Sequence, residues 1–419
     1  MVTVADAAPT PSRGAVRLLA ARALAYGLSG AGTVVIARFL GPDRVGDVAA
    51  ATSVVTVMLV LGAFGIDQLY LQGRVDEAAT RSHLWRVAGI SAALAVGGSL
   101  AWPGLPPTAR LCGVLIGIAA AGDQLKVLWL CRPQYDLDFA TRGRRDLGMR
   151  SLSVALSVLA AVVIGTAVSV AAGTLAASLL VLIPALASGA TVSDRMETLP
   201  RLRDVLRGGL PFAVSGALYT LYFQVDGAIL ASLSAAHEVG LYRAAYSFVF
   251  AAVAIPVAVN GDVMRSRLYR VADRAGSLWS DALPFAGASL GLGIAVAGVM
   301  RELATPLTRL LFGSAFLGAS SLLAVLALAM IPHYLNSWAG NLLIAAHRIR
   351  VVVVVQGSLA ALNIAGNLAA IPRYGARGAA WMTVITEGAG SGVYLILVAA
   401  SRHAIGGRPE TGRGSGQKG

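Results

Sequence analysis

Twelve apolar runs separated by short polar breaks dominate this chain. They cover residues 17–37, 46–66, 84–102, 110–131, 147–166, 169–190, 209–233, 240–261, 279–299, 316–343, 349–371 and 376–400. A helix needs about 20 apolar residues to cross roughly 30 Å of hydrocarbon. The pattern predicts an all-α polytopic membrane protein of twelve transmembrane helices. Composition agrees, since only 13% of residues are charged, against about 25% in a soluble domain. The same composition excludes an intrinsically disordered chain, a collagen-like fibre and a disulfide scaffold.

The net charge of +13 would ordinarily raise nucleic acid as a partner. Here the basic residues sit in short clusters between apolar runs, so no nucleic acid is expected. With the N-terminus in the cytoplasm, 21 basic residues fall on that side and 6 on the other. That bias predicts a plasma-membrane protein with both termini cytoplasmic and an even number of spans. The segment 1–16 lacks a cleavable signal pattern and is expected to be a disordered tail, as is the Gly/Arg/Ser-rich segment 401–419.

Enzyme signatures are missing. Cys112 and Cys131 lie 19 residues apart in one run, about 28 Å along a helix, too far to bridge. No Cys/His cluster has metal-ligand spacing, and the His237-Glu238-Val239 triplet is not followed by a second His. There is no P-loop and no G-x-S-x-G elbow. The expectation is a non-enzyme with no catalytic residues, no metal and no bound cofactor. One enzymatic alternative stays open: a membrane-embedded transferase using Asp67, Asp136, Asp138 or Asp262 at loop–membrane boundaries. The ordinary reading of those four is loop solvation.

Residues 37–51 align with residues 231–245 at an offset of 194, sharing a short turn, Val-Gly and a small-residue helix start. Six spans per half makes these parallel repeats around an axis along the membrane normal. The expected lobes are 17–190 and 209–400, joined by the basic linker 191–208.

Charged residues inside spans are costly and persist facing a wet cavity or a partner. Arg22, Tyr26, Ser29 and Thr33 form a polar stripe on span one, and Ser215, Tyr219, Tyr222 and Asp226 form another on span seven. Span eight offers Arg243, and span twelve offers Glu387 with Thr383 and Tyr394. Span ten carries His333, Asn336, Ser337 and Asn341, and span eleven Asn363 and Asn367. The alternative for Arg22 and Arg243 is snorkelling to the membrane surface, and for the asparagines a plain interhelical hydrogen bond. Asp123 and Lys126, three residues apart, read as a local pair. Gly113/Gly117, Gly287/Gly291 and Gly388/Gly392 have the spacing of close helix packing.

Several short motifs in fixed order point further. Arg38-Phe39-Leu40-Gly41-Pro42 is followed by Val45-Gly46. Leu210-Pro211-Phe212 precedes Asp226, the segment Val239 to Tyr246, and Ile255-Pro256. Leu311-Phe312-Gly313 and the segment Tyr374 to Ala380 follow. In this arrangement the chain resembles the polysaccharide-type (Wzx-like) flippases of the multidrug/oligosaccharidyl-lipid/polysaccharide exporter superfamily. The resemblance implies a V-shaped bundle of two six-helix lobes. It implies transport, by alternating access, of an oligosaccharide linked to undecaprenyl diphosphate, in cell-surface polysaccharide biosynthesis. Glycosyltransferases or a polymerase are the implied protein partners, and membrane lipids the surroundings. On that reading Arg22, Tyr26, Tyr219, Tyr222 and Arg243 contact the substrate, because guanidinium binds phosphate bidentately. Asp226 and Glu387 couple H⁺ or Na⁺, or balance the charge of the arginines. A multidrug/cation antiporter of the same superfamily is the alternative.

Overall fold

The computed structural model describes residues 13–60, 70–71, 77–136, 138–187, 202–265, 267–268 and 278–401. The side chains of Arg22, Tyr26, Tyr219 and Asp262, and all of Asp67, lie outside the described residues. So do most of the expected linker and nearly all of both tails. Among the described residues the chain is helical apart from short connections, with no strand. Eight helical stretches among them are long and apolar enough to cross a membrane, one of them the 52-residue helix that holds the last two runs.

The chain divides into two compact units, residues 1–240 and 241–419. In the first, α1 (Arg13–Val60) carries runs one and two. Its break is one residue, Gly41 at φ 75°, a conformation that disfavours any side chain. Pro42 then starts the second half, where its missing N–H costs nothing. The unit continues with α2 (Glu77–Ala101), α3 (Pro107–Leu125), α4 (Val127–Tyr135), α5 (Phe139–Val163), α6 (Ala167–Ala187) and α7 (Leu202–Leu233). Helix α5 begins eight residues before run five, where Asp138 caps it by accepting the Thr141 N–H at 3.0 Å. That bond holds the exposed Asp138 carboxyl below the usual carboxylate range.

Small residues set the packing of this unit. Gly113 and Gly117 of α3 face Ser99 and Ala95 of α2, with no room for a methyl group. Ala51, Cys112, Ala167 and Ala171 join α1, α3 and α6 in one buried cluster. Both cysteines are free and buried. Gly287, Gly291, Gly388 and Gly392 behave otherwise: a Cβ at any of them would meet nothing within 4 Å. Their spacing is that of close packing, but among the described residues no helix sits against them.

The repeat has a physical counterpart inside the first unit. A Cβ on Gly46 would lie 1.7 Å from the Ala236 carbonyl oxygen, and one on Gly240 would lie 1.9 Å from the Pro42 carbonyl oxygen. Asp43 Oδ1 and His237 Nδ1 are 3.5 Å apart. These pairs are related by the 194-residue offset, so equivalent residues touch reciprocally, as across a two-fold axis.

The second unit takes in most of α8 (Ala236–Pro256), which continues into a wider π-type turn at Val257–Met264. It then holds α9 (Leu278–Glu302), α10 (Ala304–Phe312), α11 (Gly318–Leu326), α12 (Met330–Ala345) and α13 (Ile349–Ala400). The last is two runs joined at Gly375, φ 54°. Leu323, Leu326, Met330, Tyr334, Leu342 and Leu343 form its fully buried core. On the outside, Ile396 and Leu310 are each 69% exposed, a surface suited to lipid rather than water.

Candidate functional site

Among the described residues of the second unit, a dense polar cluster lies between α12 and α13. Pro332 sits in the first turn of α12, where proline is tolerated. His333 and Asn336 then project from one face at i, i+3 spacing, and Glu387 and Ser391 from α13 at i, i+4. His333 Nδ1 is 2.9 Å from Glu387 Oε1. Asn336 Nδ2 donates to Glu387 Oε2 at 2.7 Å and to the Glu387 main-chain oxygen at 3.0 Å. Ser391 Oγ donates to Asn336 Oδ1, 2.8 Å away. Gly390 makes the approach possible, since a Cβ there would stand 3.0 Å from Asn336 Nδ2.

Both carboxylate oxygens of Glu387 are thus partnered, as a carboxylate only 4% exposed requires. A proton between His333 Nδ1 and Glu387 Oε1 can sit on either atom. With the proton on His333 the pair is ionic, and with Glu387 protonated it is neutral. The arrangement can therefore keep its hydrogen bond with the proton on either partner.

Buried contacts anchor the two helices. Tyr334 Oη donates to the Ala252 carbonyl at 2.9 Å, and Trp338 Nε1 to the Ala282 carbonyl at 2.9 Å. In α13, Asn367 Nδ2 bonds the Asn363 carbonyl and Oδ1, both at 2.9 Å. The two asparagines thus bond along one helix, and Asn367 Oδ1 stays buried with no hydrogen-bond partner among the described residues.

The remaining sequence-derived residues fall in separate places. Asp226 is buried in α7 and accepts the Gly227 N–H at 2.7 Å. Gly227 leaves no room for a Cβ against Ser53 of α1. Tyr222 is half-buried one turn earlier. Arg243 is half-buried on α8, its guanidinium 5.5 Å from the Phe250 ring centroid. The side chains of Arg22, Tyr26 and Tyr219 are outside the described residues. Asp123 and Lys126 do pair, and the fully buried Lys126 Nζ also reaches Ser178 Oγ at 2.8 Å. Asp138 is occupied in capping α5, and Asp136 ends α4, its N–H on the Arg132 carbonyl at 3.0 Å.

Glu387, His333 and Asn336 all stand out in the sequence as polar residues inside apolar runs, but their contact does not. His333 and Asn336 were visible as a polar pair on run ten. The sequence signal was their i, i+3 spacing on an apolar run; the pairing of runs ten and twelve is tertiary.

Comparison with solved structures gives the fold. The lipid II flippase MurJ, in its inward closed conformation, superposes with a TM-score of 0.75 at 14% identity, covering 92% of this chain and 87% of that one. An inward-facing multidrug resistance MATE family transporter of the MOP superfamily gives 0.68 at 13% identity, covering 94% and 99%. An outward-facing MATE family transporter gives 0.57 at 13%, covering 94% and 96%. No curated protein matches by sequence. The family model described as polysaccharide biosynthesis protein matches residues 35–321. With most of its length inside that match, the chain belongs to the polysaccharide biosynthesis protein family, as a multi-pass membrane protein with the fold seen in MurJ and MATE transporters.

Proposed function

We propose that this protein moves a lipid-linked oligosaccharide, carried on a polyprenyl diphosphate, from the inner to the outer leaflet of the plasma membrane. The family match over residues 35–321 carries this reading. Alternating access is the mechanism that suits it, with both termini cytoplasmic and no covalent chemistry on the cargo. Arg22 and Arg243 are the proposed contacts to the diphosphate, with Tyr26, Tyr219 and Tyr222 beside them. Glycosyltransferases or a polymerase would supply and consume the cargo.

The Glu387–His333 pair supports a proton as the coupling ion. One carboxylate oxygen faces an imidazole and the other an amide N–H, which suits a proton better than Na⁺, an ion bound through oxygen atoms. Outward movement of an anion also follows an inside-negative potential, worth about 2.3 kcal/mol per charge per 100 mV.

Complementation tests the assignment. A strain lacking the protein should lose surface polysaccharide, wild type should restore it, and Arg22→Ala and Arg243→Ala should not, at normal protein levels. Drug resistance on overexpression with no change in surface glycan would instead indicate the multidrug antiporter.

A further inference from the structure

A groove on the first unit is built unlike its surroundings. It has a volume of about 390 Å³ and lies between α5 and α6, beside Trp129 of α4. Its walls are apolar: Met149 and Leu152 on one side, Leu180, Val181 and Pro184 on the other. Leu180 is 50% exposed, so the groove opens sideways, toward lipid. The mouth is polar and basic. Arg144 Nη2 donates to Thr141 Oγ1 at 2.9 Å, and all of Thr141, Arg144 and Arg145 line the opening. Arg145 is held in place by Trp129, stacking 4.7 Å from its ring centroid and donating to its carbonyl.

A second, smaller cavity of about 150 Å³ adjoins the same Trp129 and Arg145 and adds Arg81 and Arg132. Among the described residues, the carboxylates facing these four guanidiniums are Glu77, which pairs with Arg81 at 2.9 Å and Arg132 at 3.4 Å, and Asp138, whose Oδ1 accepts the Thr141 N–H. The mouth therefore keeps a positive excess. An apolar slot under a positive rim matches one kind of molecule, a membrane lipid with an anionic head.

We propose that this groove is a binding site for an anionic glycerophospholipid. Its phosphate sits at Arg144 and Arg145, and an acyl chain lies along Leu152, Leu180 and Pro184. The arginines that set topology in the sequence thus have a second task, fixing one lipid at the cytoplasmic edge of the first unit. This site is independent of the cargo and of the Glu387 cluster.

Native mass spectrometry of the purified full-length protein tests it, with phosphatidylglycerol or phosphatidylcholine added. Wild type should retain one phosphatidylglycerol with about tenfold preference over phosphatidylcholine. Arg144→Gln, at an exposed position, should weaken that retention about fivefold. Leu180→Trp, which fills the slot without changing charge, should abolish it. Arg373→Gln, an exposed arginine of the second unit, should leave it unchanged. Equal retention of the two lipids, an unaffected Arg144→Gln or Leu180→Trp, or an equal loss in Arg373→Gln would each overturn the site.

Discussion

Glu387 is a carboxylate that the membrane would not tolerate alone. Moving an ion out of water costs several kcal/mol even after relaxation, and the cost is recovered only when every oxygen is satisfied. His333 and Asn336 meet that demand. Glu387→Ala should therefore destabilise the protein by about 3–5 kcal/mol, read as a lower unfolding temperature in detergent. Glu387→Gln, whose amide can still bond Asn336 and His333, should unfold close to wild type. Asp138 acts at the same scale with the opposite exposure. Its carboxyl is held low by Thr141, so its stabilisation is complete above the unfolded value near 3.9 and fades as pH falls through the folded one. Asp138→Ala should lower the unfolding temperature at pH 7, with the difference shrinking below about pH 4. From sequence alone Glu387 stood out because a charge inside an apolar run needs a reason. Which residues answered it depended on α12 and α13 being neighbours, and no local pattern encodes that.

Among the elements, the reciprocal contact at Gly46 and Gly240 turns a weak repeat into a packing constraint. The atoms opposing a new Cβ are backbone carbonyl oxygens, which cannot rotate away as a side chain can. Gly46→Ala and Gly240→Ala should each cost about 1–3 kcal/mol or more through overpacking. Gly97→Ala, with open space around its Cα, should be neutral; unfolding temperatures of the three variants compare them directly. Helices were legible here because apolar runs are long, and all twelve runs lie in helices as far as they are described. Their ends were less so: α5 extends back to Phe139 because basic side chains can reach past the apolar zone to the interface. The turn at Val257–Met264 left no signal either. It places Asn260, fully buried, 3.0 Å from Ser289 Oγ, a polar contact within an apolar sequence. Small-residue spacing misled at 287/291 and 388/392, since the same spacing arises wherever glycine and alanine are abundant.

For the whole molecule, membrane character was the firmest reading, because a chain with so few charges cannot cover itself in water. The family was legible in short motifs whose order mattered more than any one of them, and the fold shared with MurJ and MATE transporters accords with it. The cargo and its driving force lie beyond what fold supplies, since one architecture hosts flippases and drug exporters alike. In the function proposed above they reside in individual groups: Arg22 and Arg243 for the diphosphate, and the Glu387–His333 pair for the proton. The most direct measurement is flipping of a fluorescent polyprenyl-diphosphate oligosaccharide in proteoliposomes under an imposed pH gradient. Wild type should move the lipid and respond to the gradient, while Glu387→Gln should lose the response and remain folded. No transfer of the lipid by wild type, or a gradient response undiminished in Glu387→Gln, would contradict the account.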